Sequence, residues 1–129
     1  MLEDWIVRIQ SAVTLADSEP EPDAVVARGP IRRYVRAHPH PRDIALVVEV
    51  ADTSLPEDRT LKGRVYARAR IPVYWIINRV ENKVEVCTQP KGGKSPAYRE
   101  CEEYSVKDDV PVIIDGDEIG EIAVQDLLP

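Results

Sequence analysis

Several features that would settle a class of protein at once are missing from this 129-residue chain. Phe is absent, and the only cysteines, Cys87 and Cys101, match no metal-binding spacing. No apolar run approaches the roughly 18 residues of a membrane span, and no basic segment followed by an apolar one opens the chain. Serine-triad and phosphate-loop motifs are also missing. These absences argue against a cysteine-based metal module, a P-loop NTPase and a helical membrane protein.

The length and the 43% hydrophobic content predict one domain, spanning 1–129, with a single core. Because no export signal is visible, we expect a cytoplasmic protein. Thiols stay reduced in that compartment, so Cys87 and Cys101 are predicted to be free rather than joined in a disulfide, which is the alternative.

Charge is segregated along the chain, although the net charge is only −6. Segments 1–27 and 100–129 carry net charges of −5 and −9, whereas segments 28–70 and 71–99 carry +5 and +3. Local fields govern contact with a polyanion, so the basic middle is compatible with nucleic-acid binding. Solvated faces of an ordinary domain are the competing interpretation.

Hydrophobic patterning predicts an α/β fold. A helix is expected from Ser54 to about Arg70, with Ser54 and Glu57 forming a capping box. Because this helix lies between two mostly apolar strands, the three form a βαβ unit with parallel strands. The predicted strands are 5–13, 24–28, 44–50, 73–78 and 83–88, with shorter ones near 98–104 and 112–114.

Glu49 interrupts a strand that is otherwise apolar and is predicted to be buried on both faces. Carboxylates are rarely buried unless they are paired or bound to metal. Glu49 also lies at the carboxyl end of its strand, where α/β sheets bind ligands. An ion pair with a nearby arginine is the alternative explanation.

Lys62 and Asp58 fall within the sheet-facing stripe of the predicted helix when residues are placed at about 100° intervals. They lie four residues apart, so a simple ion pair is the alternative. An exposed face would serve such a pair equally well, which favours a functional role. The other members of the stripe are Leu55, Leu61, Val65, Tyr66 and Ala69.

Asp23 opens the strand 24–28 and supplies a second acidic side chain. Together, Asp23, Glu49 and Lys62 have the chemical types needed for metal-assisted phosphodiester hydrolysis. Two carboxylates are hard oxygen ligands for Mg²⁺. An ammonium group can orient the attacking water or stabilise the charge that builds on the phosphate.

The segments PEPDAVV (20–26) and VVEVADTSLPEDRTLKGRVYARARIPVYWIIN (47–78) resemble the Uma2 family of proposed restriction endonucleases, within the PD-(D/E)XK superfamily. The resemblance implies a restriction-endonuclease-like mixed sheet, Mg²⁺ or Mn²⁺, and a DNA substrate. It implies that Asp23 and Glu49 are the two metal-binding acids and that the Val50 carbonyl is a further ligand. Asp58 and Tyr66 are expected to support the site.

Two departures from the superfamily pattern matter. The lysine expected two residues after the second acid is replaced by Ala51, and the family lysine lies in the following helix, where Lys62 stands. Family members usually carry a helix and a strand ahead of the region that matches Trp5, so this chain is expected to be N-terminally short. One apolar sheet face would then stay partly open, which predicts a homodimer through strands 5–13 and 83–88. Folding of residues 113–128 over that face is the alternative.

The basic connection between strands 24–28 and 44–50 is expected to lie at the mouth of the site and to contact DNA. An inactive DNA-binding or dimerisation module is the alternative to a metal-dependent endonuclease. The arginines of this connection are Arg28, Arg32, Arg33, Arg36 and Arg42.

Overall fold

The structure is a computed structural model that describes residues 5–16, 18–53 and 55–128. Eight strands are present within these ranges. They are β1 (Trp5–Ile9), β2 (Ala24–Arg28), β3 (Ile44–Ala51), β4 (Val73–Asn78), β5 (Lys83–Lys91), β6 (Ala97–Ser105), β7 (Asp109–Ile114) and β8 (Asp117–Ala123).

The helical segment between β3 and β4 has three parts. These are α1 (Leu55–Glu57), a π-helical turn (Asp58–Lys62) and α2 (Gly63–Arg68), which we call together the site helix. A short helix, α3 (Val124–Leu127), follows β8, and two 3-10 turns, Ile31–Tyr34 and Pro41–Asp43, lie between β2 and β3. The predicted Ser54 cap lies outside the described residues.

Six strands form one mixed sheet in the order β1-β2-β3-β4-β5-β6. The pair β3–β4 is parallel and its crossover is the site helix, whereas the other neighbouring pairs are antiparallel. The predicted α/β class and the βαβ unit are therefore confirmed. Strands β7 and β8 form a separate antiparallel pair.

Each face of the six-stranded sheet buries its own apolar cluster, because successive side chains of a strand point to opposite sides. The first face is covered by the site helix, and the second face by β7 and the residues around α3. The first cluster includes Val25, Val47, Leu55, Tyr66, Tyr74 and Ile76, and the second includes Leu46, Trp75, Ile77, Val84, Val110, Ile114 and Val124.

The C-terminal segment therefore covers much of the second face, as the alternative interpretation predicted. Cover is incomplete beside the edge strand β1, where Val7 is 65% exposed and Ile9 is 63% exposed. These side chains border an apolar groove of about 910 Å³ that reaches β8. The prediction that strand 83–88 has little cover was wrong, because residues 84–87 are all buried and β5 lies between β4 and β6.

Two predicted elements end close to residues with positive φ, the strand well before its predicted end and the helix near its predicted end. The first strand ends at Ile9 rather than residue 13, and Gln10 has a φ of 49°. The site helix ends at Arg68, and Arg70 has a φ of 60°. Left-handed backbone at a non-glycine residue interrupts both the strand and the helix geometry, and apolar patterning does not report it.

The π-helical turn changes which side of the site helix faces the sheet. Leu61, placed in the predicted sheet-facing stripe, is 60% exposed, so that part of the prediction was wrong. A π turn contains more residues than the 3.6 of an α-helix, so residues from this turn onward lag behind the ideal phase. Asp58 and Tyr66 are fully buried, as the pattern predicted.

Cys87 and Cys101 form a disulfide, so the prediction of free thiols was wrong. The residues are directly opposite each other on β5 and β6, with their Cα atoms 4.0 Å apart. The prediction depended on cellular compartment alone. It carried no information on strand register, which here brings the two sulfur atoms together.

Candidate active site

The start of β2 and the end of β3 bring two acidic residues together. In the antiparallel β2–β3 pair, Ala24 lies opposite Val48, so the next residues, Asp23 and Glu49, are neighbours. Asp23 Oδ2 accepts a hydrogen bond of 2.7 Å from the Val50 amide. An extended residue directs its N–H and C=O to the same side, so the Val50 carbonyl faces the side on which Asp23 lies.

Glu49 is 3% exposed and projects from the first face toward the site helix. Its Oε2 accepts a hydrogen bond of 2.7 Å from the Tyr66 hydroxyl. Its Oε1 lies 3.5 Å from Lys62 Nζ. Neither contact is a bidentate pairing, so this buried carboxylate is held by one neutral donor and one loosely placed cation.

Lys62 is held between two carboxylates. Its Nζ lies 3.0 Å from Asp58 Oδ1 and 3.5 Å from Glu49 Oε1. The Lys62 side chain is 42% exposed. Asp58 is fully buried, and its backbone carbonyl accepts a 3.0 Å hydrogen bond from the Tyr74 hydroxyl. The Lys62 side chain is thus partly open to solvent while its anionic partners are buried.

Burial sets the electrostatics of this cluster. It raises the pKa of Glu49 to about 7, against the lowering effects of the Tyr66 hydrogen bond and of Lys62. Burial alone would lower the pKa of Lys62, but the contacts with Asp58 and Glu49 outweigh it and the pKa is raised. The pKa of Tyr66 is raised by burial and by the Glu49 charge. Perturbed groups of this kind cluster at functional sites.

Five of the predicted residues therefore meet in one place: Asp23, Glu49, Asp58, Lys62 and Tyr66. The Asp58–Lys62 ion pair named as the alternative exists, but it is continuous with Glu49. The geometry therefore combines both interpretations in one cluster on the first face.

The basic connection lies elsewhere than expected. It leaves the sheet at Arg28 and returns at Ile44, and both lie at the opposite end of β2 and β3 from Asp23 and Glu49. The expectation that the connection lies at the mouth of the site was wrong for Arg28, Arg33 and Arg42, because β2 and β3 are antiparallel and are joined at the end away from Asp23 and Glu49. Arg33 pairs with Asp43 at 3.2 Å, and Arg28 donates to the Arg42 carbonyl at 3.4 Å, both near that far end.

Sequence patterns did not reveal a second charged cluster on the other side of the site helix. Arg59 Nη2 lies 2.6 Å from Glu85 Oε2 and 2.8 Å from Glu81 Oε1. Glu85 is 6% exposed and lies on β5, where it accepts a hydrogen bond of 2.9 Å from the fully buried Asn78 of β4. The alternating pattern of KVEVCT is a signal for this cluster, because it places the charged Glu85 on a strand face that also carries buried residues.

The residues at the β2 and β3 ends fit a hard divalent cation by their chemistry. Within the described part of the chain, no group of three His, Cys, Asp or Glu forms a dedicated metal cage. Mg²⁺ commonly binds proteins through only one or two carboxylates and keeps several waters. Asp23 and Glu49, with the Val50 carbonyl, match that smaller requirement, and a buried carboxylate with a raised pKa gains from a nearby cation.

The mixed sheet with a βαβ unit and acidic residues at adjacent strand ends agrees with the restriction-endonuclease-like α/β fold that the resemblance implies. A family model described as "Putative restriction endonuclease", Uma2, matches residues 2–115, and the chain belongs to this family. The crystal structure of a "putative nuclease" of the DUF820 group from Anabaena variabilis is similar in fold. Its TM-score is 0.64 at 17% identity, over 97% of this chain and 68% of that one.

No curated protein matches the sequence significantly. Among the described residues, no helix has both the length and the apolar character needed to cross a membrane.

Proposed function

We propose that this chain is a divalent-metal-dependent endonuclease that hydrolyses phosphodiester bonds in DNA. The observation that carries the proposal is the buried Glu49 carboxylate, which lies beside Asp23 and 3.5 Å from the ammonium group of the half-exposed Lys62. Membership in the Uma2 family and the nuclease-like fold support the same reaction class.

Asp23, Glu49 and the Val50 carbonyl would hold Mg²⁺ or Mn²⁺. When bound there, the cation would supply charge neutralisation at the scissile phosphate and a more acidic water. The chain's own groups prepare this arrangement. Tyr66 fixes one oxygen of Glu49, and the Val50 amide fixes one oxygen of Asp23.

Lys62 is suited to act on the phosphate rather than on the cation. Its side chain is 42% exposed, so the site is open enough for a substrate oxygen to approach, and Asp58 keeps the ammonium group in place. A preorganised positive charge stabilises the negative charge that builds on a reacting phosphate, or it orients the attacking water. The raised pKa of Lys62 keeps it protonated across the physiological range.

A plasmid assay tests the proposal directly. Wild-type protein should convert supercoiled DNA to nicked or linear forms with Mg²⁺ or Mn²⁺, and Glu49→Ala should not. Glu103→Ala is a matched control, because it removes a 61% exposed carboxylate that pairs with Lys83, away from the site. DNA binding by the wild type without cleavage would contradict the proposal and favour an inactive binding module.

DNA binding is the second part of the proposal. Exposed arginines at the far end of the sheet can contact the phosphate backbone at a distance from the site, because duplex DNA extends well beyond one active site. Each neutralised phosphate changes the slope of log affinity against log salt by about 0.9. Replacing Arg32 and Arg36 with Ala should therefore reduce the slope by up to about 2, as measured by anisotropy at several salt concentrations. An unchanged slope would exclude these two residues from the interface.

A homodimer stays a prediction for a nuclease that cuts both strands. Val7 and Ile9 expose apolar area on the edge strand β1, which has one free side in the described sheet. Light scattering at micromolar concentration should give twice the monomer mass of 14.5 kDa. Ser substitutions at both positions should return the mass to that of the monomer. A wild-type mass near 14.5 kDa would refute the dimer.

A further inference from the structure

Arg59 lies in the same π-helical turn as Lys62 but contacts a different strand. Its Nε donates to Glu85 Oε1 at 3.0 Å, and its Nη2 donates to Glu85 Oε2 at 2.6 Å. The same Nη2 donates to Glu81 Oε1 at 2.8 Å. The guanidinium is therefore bound to two carboxylates through a forked geometry that lysine cannot reproduce.

Glu85 and Glu81 are themselves fixed to the sheet by Asn78. The Asn78 amide nitrogen donates to Glu85 Oε2 at 2.9 Å and to Glu81 Oε1 at 3.0 Å. Its oxygen accepts hydrogen bonds from the backbone amides of Val80 and Glu81. Because Asn78 is fully buried, this network ties Arg59 to the backbone of the β4–β5 turn.

The site helix is thus attached on two sides. Lys62 reaches toward Glu49 of β3, and Arg59 reaches toward Glu85 of β5, which lies on the far side of β4. A helix with side chains has a radius of about 5–6 Å, so a rotation of about 20° displaces a side-chain end by about 2 Å. Such a displacement would separate Lys62 Nζ from the carboxylates that it contacts.

We propose that the Arg59–Glu85 pair is a positioning element that sets the rotation of the π-helical turn and so places Lys62 Nζ beside Glu49. The consequence of this pair for catalysis rests on the nuclease function proposed above, whereas its role in placing Lys62 does not. Arg59 is a positioning residue, since its contacts are with Glu81 and Glu85 rather than with the acids of the site.

The Lys62 side-chain NMR signal tests the geometry without any activity. The chain has five lysines, so the ¹³Cε–¹⁵Nζ signal of Lys62 can be assigned from its loss in Lys62→Arg. Arg59→Met and Glu85→Gln should shift this signal and broaden it. The matched control is Arg33→Met, because Arg33 and Asp43 are 43% and 8% exposed, against 40% and 8% for Arg59 and Glu85. An unchanged Lys62 signal in folded Arg59→Met would overturn the proposal.

A double variant separates positioning from stability. Because Glu85 is buried, Arg59→Met alone leaves its charge without the guanidinium, whereas Arg59→Met with Glu85→Leu removes that charge as well. The double variant should therefore melt closer to the wild type than Arg59→Met alone. We expect its Lys62 signal to stay shifted. A wild-type signal in this folded double variant would overturn the proposal, because any filling of the space would then suffice.

Cleavage measurements connect the pair to catalysis. Arg59→Met should lower kcat at least tenfold with little change in KM for DNA, and Arg59→Lys should restore only part of the loss. If the wild type cleaves no DNA, the proposed function fails, while the Lys62 signal still decides the positioning. A loss confined to KM would overturn the positioning role in catalysis.

Discussion

Glu49 and Glu85 are two buried carboxylates on the same face of one sheet, and they are held in opposite ways. Glu85 receives the forked guanidinium of Arg59 and an amide from Asn78. Glu49 receives one tyrosine hydroxyl and a lysine at 3.5 Å. Both are less than 10% exposed, so burial alone does not distinguish them. The difference lies in how completely the charge is satisfied.

This difference indicates which carboxylate serves structure and which serves chemistry. A buried carboxylate whose two oxygens are paired with a forked guanidinium is held in one fixed position. Few of its lone pairs remain free to bind a ligand. A buried carboxylate with incomplete pairing is costly to keep and gains most from a cation. The raised pKa of Glu49, about 7, is the electrostatic sign of that cost.

The largest expected effect is on cleavage, and it distinguishes the role of Lys62 from that of Glu49. Lys62→Ala should lower the single-turnover cleavage rate by about 10²–10³-fold, because it removes a group that acts on the developing charge. Mg²⁺ or Mn²⁺ affinity, measured by calorimetry, should change little. Glu49→Ala should lose both metal binding and cleavage. Equal loss of metal binding in the two variants would reduce Lys62 to a structural ion-pair partner.

The next effect concerns the fully paired carboxylate. Glu85→Gln keeps the shape of the side chain but removes the charge that faces Arg59, so the free energy of unfolding should fall by about 2 kcal/mol. Urea denaturation at pH 8 measures this loss. Glu103→Gln is the control, because Glu103 lies in an exposed pair with Lys83 and should change stability by less than about 0.5 kcal/mol. A neutral Glu85→Gln would remove the contrast between the two carboxylates.

Much of this architecture could be predicted from the sequence, because strongly patterned segments dominate it. Strand 24–28, strand 73–78 and the helix between two apolar strands were predicted with nearly their observed bounds. Glu49 stood out because a charge within an apolar strand must be compensated. Lys62 stood out because helical phase placed it against the sheet.

Features that depend on register, direction or irregular helix geometry could not be predicted in the same way. The disulfide requires Cys87 to lie opposite Cys101, and local patterning does not fix a strand pairing. The exposure of Leu61 follows from a π-helical turn that an ideal helical wheel cannot represent. The Arg59–Glu85 contact joins residues 26 positions apart and depends on both the wheel phase and the strand order.

The smallest expected effect is a gain in the free energy of unfolding in Glu49→Gln, opposite in sign to the loss expected for Glu85→Gln. In the unfolded chain Glu49 releases its proton near its usual pKa of 4.5, whereas in the folded, metal-free chain it does so near 7. Between these values the folded state binds more protons, so this residue lowers stability as pH rises through the window. Glu49→Gln cannot ionise and so avoids this cost, which the two pKa values place at no more than about 3 kcal/mol at pH 8. Gln also loses the attraction to Lys62, so the free energy of unfolding should rise by roughly 1 kcal/mol.

That gain should shrink as pH falls and disappear below about pH 4.5, where Glu49 is protonated in both states. Urea denaturation at pH 4, 6 and 8 without metal would follow this trend. Saturating Mg²⁺ should stabilise the wild type and leave Glu49→Gln nearly unchanged, since a ligand stabilises only the state that binds it. A Glu49→Gln variant less stable than the wild type at pH 8 would show that Glu49, like Glu85, is a satisfied structural carboxylate.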